Sequence, residues 1–131
     1  MLYYSNSLRH SQNEALIAFA GTNAIIHIYA GTQPASANDA ITTQTLLASL
    51  VVPGVFGTDT NGTLTLDTVT SAIAVAAGTA SFFRITQSNN TTVVMDGSVG
   101  TSSADMIFNS VDVLPLQTVA ISSGTIIRNN I

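Results

Sequence analysis

A chain of 131 residues with 46% hydrophobic content fits one domain that can bury a core without metals or cross-links. Three cations against seven acids leave a net charge of −4, which excludes the clustered positive charge that nucleic acid requires. Cysteine is absent, so disulfides, thiol catalysis and cysteine-based zinc sites are excluded too. Only 8% of residues are charged, against about 25% in an average soluble protein. Such a surface is solvated by hydroxyls and amides, and suits a protein largely covered by copies of itself or by partners.

Residues 1–22 are predicted to form an N-terminal arm and a helix. Leu8, Gln12, Ala15, Leu16 and Phe19 recur with helical spacing, Ser5 or Asn6 can cap the start, and Gly21 suits the end. Ahead of this helix, Leu2, Tyr3 and Tyr4 either tuck against the body of the protein or reach a neighbouring subunit. The apolar run at 15–20 follows Glu14 and falls well short of the roughly 20 residues of a membrane span. With no basic stretch before it, no signal peptide is expected, and no membrane association either.

Residues 23–131 read as the β domain. At 23–30, Ile26 and Ile28 share one face of a strand, with Ile25, His27 and Tyr29 on the other. His27 has no second ligand in its segment, so it is expected to be a hydrogen-bonded structural residue, as is His10. Residues 31–43 form a loop. Strands follow at 46–52 and at 63–67, where Leu64 and Leu66 alternate with threonines after an Asn61-Gly62 turn. Residues 68–77 continue with Val69, Ile73 and Val75.

The most informative stretch is 80–97, a β-hairpin whose arms align by residue type. Phe83, Ile85, Val93 and Met95 share a core face if Arg84 pairs with Asp96 on the outer face, which requires a loop centred on Asn90. A two-residue turn at Asn89-Asn90 would slip one arm by one position and invert its faces. Arg84 and Asp96 are thus a register pair, expected to be exposed and worth well under 1 kcal/mol. Phe82 and Val94 flank them as candidate contacts for another chain. Beyond a Gly/Ser-rich link at 97–105, short strands are predicted at 106–109, 111–114, 118–122 and 125–128, the last two around Ser123-Gly124. Together these give about eight or nine antiparallel strands, an all-β, jelly-roll-like β-sandwich with a short N-terminal helix.

No constellation here suits catalysis: the acids are scattered and Gly97-Ser98-Val99-Gly100 lacks nucleophile-elbow spacing. No catalytic, cofactor or metal residue is assigned. Asp59 to Gly62 departs from calcium-loop spacing and reads as a turn. The Asn-x-Thr triplets at Asn61, Asn89 and Asn90 carry meaning only in a secretory pathway. Thr- and Asn-rich surfaces also occur in glycan-binding modules, but no tryptophan and 6% aromatic content leave few stacking platforms.

Three stretches carry a resemblance: IYAGTQPASANDAITTQTLLASL at 28–50, the run at 79–110 ending in VVMDGSVGTSSADMIFNS, and VAISSGTII at 119–127. With the helix ahead of the I-Y-x-G-x-Q-P-A segment, they resemble a family of small structural proteins of tailed phages and prophages across most of the chain. Phe82-Phe83 stands for the family's aromatic before the central arginine, and SNNTT replaces its more typical Asp-Gly tip. The resemblance implies a non-enzymatic virion component without cofactors. Its first form is a decoration or cement protein that self-associates as a symmetric oligomer and binds the major capsid protein on the outer shell. A tail, baseplate or fibre component is the alternative, and a glycan-binding module a second one.

Overall fold

The computed structural model describes residues 2–108 and 110–121 and the backbone of 125–127. Met1, Asn109, the Ser123-Gly124 turn and Arg128 lie outside the described residues. Among the described residues the protein is mostly β, with one helix. Helix α1 (Asn6–Ala20) starts at Ser5, whose hydroxyl accepts the Leu8 N–H at 3.1 Å, and ends at Gly21, in the left-handed region at φ 69°.

Its buried face differs from the expected one. Asn13, Leu16 and Ala20 point inward, while Leu8, Ala15 and Phe19 stay exposed. The reason is polar: the Asn13 amide donates to Asp59 and to the Gly62 carbonyl, placing an asparagine where hydropathy calls for an apolar side chain.

Eleven strands occur among the described residues, more than expected because several span only two residues. The large sheet has the order β2-β1-β6-β7-β8, built from Ala24–Ala30 (β1), Thr45–Val52 (β2), Gly78–Thr86 (β6), Val93–Gly100 (β7) and Met106–Ile107 (β8). β9 (Asp112–Val113) pairs with the start of β6. A three-stranded sheet joins Gly57–Thr60 (β3), Thr63–Leu66 (β4) and Thr125–Ile127 (β11), and a two-stranded one joins Ala72–Ile73 (β5) with Thr118–Val119 (β10).

β1 alternates as expected. Ala24, Ile26 and Ile28 are fully buried and join Phe83, Ile85, Leu50 and Val52 in one core with Leu16 of the helix, Phe56, Leu64 and Val119. β7 and β8 are parallel, contrary to the all-antiparallel expectation. A short link suffices because Ser98 and Asp105 bond reciprocally across it, Ser98 N–H to the carboxylate at 2.9 Å and Asp105 N–H to the hydroxyl at 3.0 Å.

The β6-β7 hairpin keeps the expected register along its arms: Arg84 pairs with Asp96 and Ile85 with Met95. Its tip follows the competing register. Thr86 pairs with Val93, Gln87 N–H bonds to the Thr92 carbonyl, and Asn89 accepts the N–H groups of Thr91 and Thr92. A β-bulge after Ile85 absorbs the one-residue difference. It also exchanges the two valines: Val94 packs against the core, and Val93 turns to the opposite face beside Thr86.

Candidate functional site

The outer face of the large sheet is where the expected site residues meet. Along β1 it carries Ile25, His27 and Tyr29, and beside them stand Ser49 on β2 and Phe82, Arg84 and Thr86 on β6. Sequence reading treats this face as solvated. In the structure β6 is buried on both sides from Phe82 to Thr86. Phe82 is therefore closed to another chain: it is fully covered, with its ring stacked on Tyr29 at a centroid distance of 5.1 Å. Val94, the other outer-face candidate, is taken inward by the bulge.

The register pair is buried, not exposed. Arg84 Nε donates to Asp96 Oδ1 at 2.7 Å and Nη2 to Oδ2 at 2.8 Å, with 6% and 5% of the two side chains accessible. The Asp96 hydrogen bonds raise the arginine pKa against the opposing effect of burial, so the guanidinium stays charged.

Next to this pair the face opens into a cavity of about 470 Å³, bounded by Ile41 of the 31–44 loop, by Asn90 and Thr91 of the hairpin tip, and by Leu46 and Val51 of β2. His27 forms part of its floor. Its Nδ1 lies 2.9 Å from the Ser49 hydroxyl and its Nε2 3.2 Å from the Thr86 hydroxyl, so the imidazole ties β2, β1 and β6 together. Burial lowers its pKa, the Asn90 hydrogen bond opposes this, and the Arg84 charge adds to it. A Ser-His contact can begin a catalytic triad, but stabilising an imidazolium needs a carboxylate on the far nitrogen. Here that position holds a threonine, and Asp96 is committed to Arg84. The arrangement clamps a neutral imidazole, in keeping with the structural role expected of it.

A second polar cluster anchors the helix. The Asp59 carboxylate, with no exposed side-chain surface, meets His10 Nδ1 at 2.6 Å, accepts from Asn13, and receives the Gly62 N–H at 3.3 Å. Burial works to raise the Asp59 pKa, but the bonds from Asn13, His10 and Gly62 outweigh it and hold the value below the ordinary 3.8. Among the described residues, no group of three His, Cys, Asp or Glu side chains is placed to hold a metal.

These two shifts give a pH dependence of one sign. His27 has a folded-state pKa below 6.5, so as pH falls past 6.5 the unfolded chain takes up that proton first and stability declines. Asp59, depressed in the fold, contributes stability above about 3.8 that is lost as pH falls through its folded value. Urea midpoints are expected to start falling just below pH 6.5 and to fall further in the carboxylate range. In His27→Gln only the lower decline should remain; an unchanged onset would remove His27 as its source.

The expected contact residues of the arm stay outside: Leu2 is 61% and Tyr3 67% exposed, with Tyr4 half-buried. Sequence reading does not single out a second apolar surface. Ile73 (52%), Val75 (71%), Leu114 (66%) and Leu116 (80%) are exposed within one neighbourhood, because Ala74 N–H bonds to the Gln117 carbonyl and Leu116 N–H to the Ala74 carbonyl. At its tip Leu114-Pro115-Leu116-Gln117 closes a turn with Leu116 in the left-handed region at φ 64°. The Leu-Pro-Leu run between short β segments is the sequence signal for it. No helix among the described residues is long and apolar enough to cross a membrane. No known family, curated protein or solved structure matches the chain, so the resemblance to phage structural proteins rests on the three quoted stretches.

Proposed function

We propose that the protein is a virion structural component, a decoration or cement protein that docks on the outer surface of a phage capsid and bridges its major capsid subunits. The observation that carries this reading is the apolar patch of Ile73, Val75, Leu114 and Leu116. With these four residues 52–80% exposed, the patch is of the order of a few hundred Å², the size of the largest apolar patch on a typical monomer, which is often a functional one. Leu116 sharpens the point: a left-handed leucine costs roughly 1–2 kcal/mol, offset in part by the hydrogen bonds of its turn to Ala74 and Leu114, while 80% of the residue stays in solvent. Seated in a pocket of a capsid subunit, it recovers that cost through burial.

The jelly-roll-like sandwich belongs to the same reading, with the large sheet as one layer and the β3-β4-β11 and β5-β10 sheets as parts of the other. Repetition over the shell multiplies a modest contact into a stabilised particle. The test is the copy number of the chain in separated heads and tails, with the wild type compared to the doubly charged Leu114→Asp/Leu116→Asp variant.

A further inference from the structure

Beside its buried face, helix α1 carries a second stripe that is exposed at Leu8, Ala15 and Phe19 and half-buried at Gln12, whose side-chain oxygen is covered. Leu8, Gln12, Ala15 and Phe19 lie on one line along the helix. Leu8 is 46% and Phe19 51% exposed, Ala15 is exposed between them, and the exposed Leu2 and Tyr3 lead into the same helix. We propose that this stripe packs against the same stripe of a second copy of the chain, forming an antiparallel helix pair on a two-fold axis with each N-terminal arm laid past the partner's Phe19.

The spacing itself selects that arrangement. The steps from Leu8 to Gln12 to Ala15 to Phe19 are four, three and four residues, so the stripe reads the same in both directions. A two-fold axis at its midpoint sets Leu8 against the partner's Phe19 and Gln12 against the partner's Ala15, so each contact occurs twice. The small Ala15 near the axis lets the helices approach closely, and no charged side chain sits in the stripe to oppose a second copy. A parallel pair would set Phe19 against the partner's Phe19 and leave both arms side by side at one end, uncovered.

The area is sufficient. The exposed parts of Leu2, Tyr3, Leu8 and Phe19 sum to about 500 Å² per copy, so complete covering in both copies buries at most roughly 1,000 Å², and Ser11, Ala15 and Ala18 bring the pair to the small end of specific interfaces. This pairing concerns two copies in solution and stands apart from capsid docking, which uses the Leu114-Leu116 patch: either can fail without the other.

Sedimentation equilibrium of the full chain at about 10 µM is expected to give a dimer. Phe19→Gln, at an exposed position, should weaken it by about tenfold or more with an unchanged circular dichroism spectrum, whereas Leu114→Gln should leave it intact. Cysteine is absent from the sequence, so introduced thiols report geometry directly. The antiparallel pair places the two Ala15 Cα atoms roughly 6 Å apart, within disulfide reach. Ala15→Cys should therefore cross-link on oxidation, while Leu8→Cys should not cross-link to itself. A monomer, a dimer joined through Leu114→Cys but not Ala15→Cys, or self-cross-linking of Leu8→Cys would each overturn the proposal.

Discussion

Asp96→Ala is expected to destabilise the protein by about 3–5 kcal/mol, because it leaves the Arg84 guanidinium in the sheet without its counter-charge. Domains of this size are stable by only about 5–15 kcal/mol, so the variant should be close to unfolding at room temperature. The comparison that isolates the cause is Arg84→Met/Asp96→Leu, in which both charges are replaced by apolar side chains. A buried ion pair recovers its desolvation cost with difficulty, and the double variant should fall within about 1 kcal/mol of wild type. Urea denaturation measures both. A loss below 1 kcal/mol in Asp96→Ala would mean that the pair behaves as an exposed one.

Gly97→Ala should cost about 2 kcal/mol for a steric reason on the other face of the same hairpin. Phe83 pairs with Gly97, and its ring lies across the space a side chain would take: a Cβ at position 97 would stand 2.3 Å from Phe83 Cζ, with Asp105 Cβ at 3.3 Å. The ring must rotate or the strands must part, and overpacking of this kind costs about 1–3 kcal/mol. Phe83→Leu shortens the side chain where the clash occurs. The Gly97→Ala/Phe83→Leu pair should therefore show an interaction energy of about 1 kcal/mol in a double-mutant cycle. Additive losses would show that the glycine serves the backbone and not the ring.

This hairpin also shows how far the sequence is legible. Residue types along the arms favour the Arg84-Asp96 alignment, whereas the tip closes in the register of the competing turn at Asn89-Asn90, and the two differ by one residue. The folded chain keeps both and places a bulge between them. Inward alternation along β1 was readable because Ile26 and Ile28 face a continuous core. The helix face was not, since its central inward residue is Asn13, whose partners at Asp59 and Gly62 lie more than forty positions away.

Distance along the chain hid the outer face for the same reason. Nothing near His27 announces that Ser49 and Thr86 will bracket its ring, or that the 31–44 loop and the hairpin tip will rise beside it. Of the expected contact residues, Leu2 and Tyr3 remain open to a partner, Phe82 and Val94 are engaged within the chain, and the Leu114-Leu116 turn supplies a further exposed apolar surface. That turn joins β9 and β10, strands of two residues each, too short to show a period.

Function in this account rests on covered surface, with the outer-face polar groups of the hairpin spent on holding its strands. The most direct measurement is quantitative stoichiometry of the chain in separated heads and tails of particles assembled with wild type or with Leu114→Asp/Leu116→Asp. Docking on the shell predicts hundreds of wild-type copies per head, none on purified tails, and loss of the variant from heads while its melting temperature stays within a few degrees. A few to dozens of copies retained on tails, or full occupancy of heads by the variant, would contradict it.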